Sequence, residues 1–298
     1  MSRRPPLGGV VVGVNDGSSA RGALTWAAHA ARARGLPLVV CHAYGTDETG
    51  ASLELACAAR NRALRTARYG VEVAESAAPG VTATAWAEEG SPAQVLVDAC
   101  VDPSMIVVGY RAHGVVAAQV LAILAAGPRG PRCPVAVVPP RVGGLRRLSA
   151  NRSGRAGGPV IAVVTGGDAD WDVLRVAAAE AEMRKANLVE LRSGRGLRRG
   201  PLPTVPKHAE LLVVGMPLQV ASELLPRPGR DARTGGNELS LAAVLGYGAL
   251  RRSGPPVLLV PIRSGSRQLT DRERYGSGVA AKALASAEDR LVPTQHRW

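Results

Sequence analysis

The stretch Met105-Ile106-Val107-Val108-Gly109-Tyr110-Arg111-Ala112-His113-Gly114 constrains this chain most. An apolar run ends in a glycine. A short polar loop with a cation follows, and a second glycine opens an apolar helical segment. That order predicts a strand, a loop and a helix start, which aims backbone N–H groups at a point where a phosphate could sit. A partial echo lies about a hundred residues on, in Glu210-Leu211-Leu212-Val213-Val214-Gly215-Met216-Pro217. There the strand and its glycine persist, but the loop does not. The sequence therefore reads as one α/β unit built twice.

The rest of the first unit follows the same alternation. Val10-Val11-Val12-Gly13-Val14 is a β-branched run of the kind buried on both faces of a parallel sheet. Asn15-Asp16-Gly17-Ser18-Ser19 is a turn in which Ser18 or Ser19 can cap a helix. Ala20–Arg34 is that helix: Ala23, Trp26, Ala27 and Ala30 share one face, and Gly35 with Pro37 stops it. A strand over Leu38–His42, a helix over Leu55–Arg68 and a strand over Val81–Trp86 come next. Glu88-Glu89-Gly90-Ser91-Pro92 reads as the start of a short helix over Ala93–Ala99, with Ser91 as its cap. After the strand Met105–Gly109 come a helix over Val115–Ala126 and a last strand, Val135–Val138, closed by Pro139-Pro140. Five strands joined by helices predict an open, doubly wound parallel sheet with ligands at the carboxyl edge.

Residues 141–158 are rich in Gly, Arg and Ser and read as a linker. The pattern then restarts with a strand at Val160–Val164, a turn at Gly166-Gly167-Asp168, a helix over Trp171–Lys185 and a strand at Leu188–Leu191. Arg192–Pro206 holds Gly, Pro and Arg where the first unit has a helix and a strand. A strand at Leu211–Gly215, a helix over Leu239–Arg251 and a strand at Val257–Pro261 complete a truncated copy. The expected organisation is domain 1 over 1–140, linker 141–158, domain 2 over 159–262 and a mobile basic tail over 263–298, with one helix at Val279–Leu291.

Bulk properties exclude several classes. At 298 residues there is room for two cores, and with no Phe and 3% aromatics Ala, Val and Leu must fill them. The net charge of +13 raises a polyanion partner. The arginines are scattered, however, and their densest groups (Arg146-Arg147 with Arg152 and Arg155, and Arg198-Arg199) sit in Gly/Pro-rich connections, so no specific nucleic-acid binding is expected. Cys41, Cys57, Cys100 and Cys133 form neither a CxxC pair nor a set with metal-ligand spacing, which fits a reduced, cytoplasmic setting. Val10–Val14 is too short for a signal peptide. Val115–Ala126, broken by Gln119, is too short to span a bilayer, so no membrane partner is expected.

Three segments, in order, resemble the universal stress protein family in its tandem two-domain form. Val12-Gly13-Val14-Asn15-Asp16-Gly17-Ser18 with Ala23-Leu24-Thr25-Trp26-Ala27 is similar to its first strand, acidic turn and first helix. Val107–Gly114 is similar to its fourth strand and glycine loop, and Cys133–Pro139 to its terminal strand. The resemblance implies two Rossmann-like sheets, the second truncated. Terminal strands Val135–Val138 and Val257–Val260 would pair in a pseudo-dimer within one chain, with a further homodimer and an unidentified protein partner as possible associations. It also implies ATP or another small adenine nucleotide as ligand, at Val14, Asn15, Asp16, Gly17, Val40, His42, Gly109, Arg111, His113 and Gly114.

ATP-binding members carry Gly, two residues, Gly, nine residues, then Gly with Ser or Thr. Small residues there let the backbone approach, and the hydroxyl holds phosphate oxygen. Here Gly109 keeps the first position, but Ala112 and Ala122-Ile123 take the others, and Asn15 falls where the family has its acid. Ile123 removes the hydroxyl and adds bulk. Arg111 and His113 are the side chains best placed to meet an anion, or else are solvated loop residues, and His42 either lines the pocket or faces solvent. Ser18 and Ser91 read as caps, not nucleophiles. No paired carboxylates or metal ligands stand out. The expectation is a non-enzymatic stress-response regulator that binds a nucleotide through domain 1, with a ligand-independent scaffold as the alternative.

Overall fold

A computed structural model describes residues 7–15, 20–45, 53–110, 115–126, 133–139, 158–164, 170–192, 208–217 and 254–262. The expected linker up to residue 157, the turn at 166–168, the helices over 239–251 and 279–291 and the tail from 263 lie outside these residues.

The described chain runs β1 (Val10–Gly13), α1 (Ala20–Arg34), β2 (Leu38–Tyr44), α2 (Leu53–Ala77), β3 (Ala83–Glu89), α3 (Pro92–Asp98), β4 (Met105–Gly109), α4 (Val115–Ala126), β5 (Val135–Val138), β6 (Val160–Val164), α5 (Asp170–Arg184), β7 (Leu188–Arg192), β8 (Leu211–Pro217) and β9 (Val257–Ile262). The strands form one nine-stranded sheet in the order β3-β2-β1-β4-β5-β9-β8-β6-β7. Every neighbouring pair is parallel except β5 and β9, which run antiparallel with Val135 opposite Leu259 and Val137 opposite Val257. The mixed α/β fold with a parallel-dominated sheet is thus the one expected, and the two parallel halves meet at the terminal strands.

The second half repeats the backbone bonding of the first at an offset of 150 residues. Val10, Ala20 and Leu38 begin β1, α1 and β2; Val160, Asp170 and Leu188 begin β6, α5 and β7. Val10 N–H donates to Pro37 O and Val160 N–H to Asn187 O, both at 2.9 Å. Helix α1 ends with Leu36 N–H on Ala31 O and Gly35 N–H on Arg32 O; α5 ends with Ala186 on Ala181 and Lys185 on Glu182. This is the Schellman arrangement, which needs a left-handed residue, and Gly35 (φ 63°) and Lys185 (φ 51°) supply it. Between β7 and β8 the described residues hold no helix or strand, where the first half has α2, β3 and α3.

Alternation along the strands divides the core. Val10, Val12, Leu38, Val40, Met105 and Val107 face the side covered by α1 and α2; Val11, Val39, Ile106 and Val108 face α3 and α4. Helices on both sides are what a fully buried parallel sheet requires. Trp26, 1% exposed, anchors α1 as a core residue.

The largest departures from the expected element boundaries are at α2 and β3. Helix α2 does not stop at Arg68 but runs through Tyr69-Gly70 to Ala77. Gly70 weakens the helix locally, yet its missing side chain is what lets α2 lie against β2: a Cβ there would come within 2.7 Å of Val40 Cγ1. Strand β3 extends through Glu88 and Glu89, which pair with Ala43 and Tyr44 and do not belong to the next helix. As the outer strand of the sheet, β3 has an exposed edge where charges are tolerated.

Candidate functional site

The carboxyl edge of the first half is organised around the end of β1. Val14 extends the ladder, its N–H donating to Cys41 O at 2.8 Å, and its own carbonyl accepts from His42 Nδ1 at 3.0 Å. That bond leaves Nε2 as the acceptor of the neutral ring. His42 is half-buried, so it neither faces solvent fully nor lines the cavity described below. On the other side of β1, Tyr110 N–H donates to Val138 O at 2.8 Å, which carries β4 one residue past Gly109.

Beside this edge, between α1, α2 and the end of β1, lies a cavity of about 440 Å³. Its apolar part is Val14, Leu24, Gly70 and Val73; its polar part is Asn15, Thr66 and Tyr69, with Arg21 from α1 and Arg65 from α2. Gly70 is central. A Cβ placed there would lie 3.4 Å from Leu24 Cδ2 and 3.6 Å from Val14 Cγ1, besides its clash with Val40. The volume falls in the range of small-molecule sites.

The structure brings together some of the expected residues. Val14 and Asn15 line the cavity, Val40 lies beneath Gly70, and His42 is bonded to Val14. Gly109 sits across β1 on β4, outside the lining. Asp16, Gly17, Arg111, His113 and Gly114 lie outside the described residues. Ile123, on α4, packs against the core on the α3/α4 face. Ser91 accepts from Gln94 N–H at 3.3 Å and caps α3. Glu88 accepts from Trp86 Nε1 at 3.0 Å on the exposed surface.

Arg21, Arg65, Thr66 and Tyr69 were not anticipated. Arg65 and Tyr69 are one turn apart, a spacing that puts both on one helix face. Nothing in the sequence says that this face meets α1. At the far end of β2, burial is the main influence raising the Tyr44 phenol, with Glu88 and Glu89 adding to it and Arg60 opposing. Among the described residues no group of three His, Cys, Asp or Glu could hold a metal, and no helix is long and apolar enough to cross a membrane.

The β1–α1–β2 edge thus opens on a cavity within a five-strand parallel unit of order 3-2-1-4-5. Residues 8–139 match the model of the Universal stress protein family. The matched span contains β1 through β5 and every described residue that lines the cavity. Among solved structures, a universal stress protein from Archaeoglobus fulgidus DSM 4304 matches over 85% of this chain and 96% of its own, with TM-score 0.56 and 11% identity. At that identity the likeness is one of fold, and it reaches past residues 8–139 into the second half. Shorter matches are the universal stress protein from Archaeoglobus fulgidus in complex with dAMP (25% identity, 44% of this chain, 96% of that chain, TM-score 0.33) and a universal stress protein family protein from Arabidopsis thaliana with AMP bound (24%, 45%, 91%, TM-score 0.31). No curated protein matches the chain.

Proposed function

We propose that the chain is a tandem regulator of the universal stress protein type. In this reading its first half binds an adenine nucleotide, and its second half is a truncated repeat that completes the sheet through β9. The observation that supports this best is the cavity at the carboxyl end of β1. It lies within the matched domain, is bounded by Val14 and Asn15, and is walled by two arginines. The carboxyl edge is where open α/β sheets take ligands. The offset of 150 residues between the two sets of backbone bonds supports the duplication. Its role is non-enzymatic and cytoplasmic: the nucleotide acts as a signal read by a protein partner.

A ligand that binds only the folded chain raises its melting temperature as concentration exceeds the dissociation constant. Thermal unfolding of the full chain with millimolar ATP, ADP or AMP tests the reading. A concentration-dependent rise supports it, and no shift with any of the three contradicts it.

One observation favours a second reading. With Ala112 and Ala122-Ile123 in the glycine motif, the phosphate loop typical of ATP-binding members is incomplete. A ligand-independent scaffold would show partner capture indifferent to nucleotide.

A further inference from the structure

We propose that Arg21 and Arg65 hold the phosphoryl group of the ligand in the first-half cavity, so that the site selects phosphorylated over unphosphorylated nucleosides. The inference rests on the nucleotide reading above and assigns the anion-binding groups to α1 and α2, not to the glycine loop after β4.

Arg21 from α1 and Arg65 from α2 both line the same cavity. Among the described residues, none that lines the cavity is Asp or Glu, and neither arginine is in an ion pair. Two cationic residues on the wall of one cavity repel each other until an anion lies between them. A phosphoryl group, with up to two charges and three acceptor oxygens, satisfies both, because each guanidinium presents a planar fork of N–H donors to it. The remaining wall suits the rest of such a ligand. Val14, Leu24 and Val73 offer apolar surface for a base, and Asn15, Thr66 and Tyr69 offer polar atoms near it.

This arrangement supplies what the broken motif lacks. Ile123 has no hydroxyl to offer, and it packs into the core on the opposite face of the sheet. Charge brought by two helices replaces a hydroxyl at a helix start. Gly70 keeps the space open: any side chain there would meet Val40, Leu24 and Val14.

Isothermal titration of the full chain with AMP and with adenosine tests the assignment. The wild type binds AMP at least about tenfold more tightly than adenosine, the scale of one hydrogen bond to a charged group. Arg21→Gln and Arg65→Gln each lower AMP affinity about tenfold and leave adenosine affinity within about twofold, and Arg65→Lys restores part of the loss. Both arginines are exposed, so melting temperatures stay at the wild-type value. If the wild type binds AMP and the variants bind it equally well, or lose AMP and adenosine alike, the assignment is overturned while the nucleotide reading stands. If the wild type binds neither compound, both are overturned.

Discussion

Arg34, the last residue of α1, and Glu180, in α5, form a buried ion pair between the two halves of the sheet, with side chains only 12% and 4% exposed. Glu180 also accepts from Arg184 at 3.2 Å, and Arg184 reaches Glu210 at 3.2 Å. The Arg184 guanidinium lies 5.3 Å from the centroid of the Trp26 ring. Two cations and two carboxylates thus balance inside an apolar layer. The network's central carboxylate has no counterpart at the matching position of the first half. Ala30 stands at the position matching Glu180, and Arg34 bonds its carbonyl at 2.9 Å.

Removing one member of a buried pair strands the other charge, at a cost of about 3–5 kcal/mol. Glu180→Ala leaves two arginines facing each other across the junction and should destabilise the chain by that order. Urea unfolding measures it. A loss under about 1 kcal/mol, the scale of a surface pair, would show that the junction does not depend on Glu180.

Gly70→Ala sets two effects against each other. Alanine favours the helix by about 1 kcal/mol. The added methyl meets Val40 Cγ1 at 2.7 Å, and valine, β-branched and held in the sheet, cannot swing away. Overpacking of this kind costs about 1–3 kcal/mol. The expected outcome is a net loss of stability together with weaker ligand binding, because the methyl also enters the cavity. A stabilised variant would mean that the contact between α2 and β2 is looser than described.

Lys185 holds a left-handed backbone at φ 51°, where the first half has Gly35. Such a conformation costs a residue with a Cβ about 1 kcal/mol or more. Lys185→Gly should therefore raise stability by up to about 1 kcal/mol and Gly35→Ala should lower it by a similar amount, both read from denaturation midpoints.

His29 on α1 has its pKa lowered, first by burial and then by Arg32 and Arg184. The folded chain therefore takes up this proton less readily than the unfolded chain. Its contribution to stability is present above the ordinary histidine value, near 6.5, and is lost as pH falls below it. His29→Gln should flatten the dependence of the urea midpoint on pH between about 7 and 5. An unchanged slope would show that other groups set it.

The fold was legible wherever burial on both faces forced β-branched runs: Val10–Val12, Met105–Val108 and Val135–Val138 announce central strands without help from tertiary context. It was not legible where a contact reverses a local preference. Tyr69-Gly70 looks like the end of a helix until Val40 explains why a side chain is excluded there. Glu88-Glu89 looks like a helix start until β3 proves to be an edge strand. The cavity shows the same limit. Val14 and Asn15 follow from the end of β1, but Arg21 and Arg65 meet only because α1 and α2 pack side by side, which no spacing in the sequence encodes.

Hydrogen–deuterium exchange of the full chain with and without saturating AMP tests the central claim most directly, since it reports where a ligand sits. The account predicts slower exchange in peptides covering Ala20–Leu24 and Arg65–Val73 and no change in peptides from β6 to β9. Protection confined to the second half, or none around the end of β1, would contradict it.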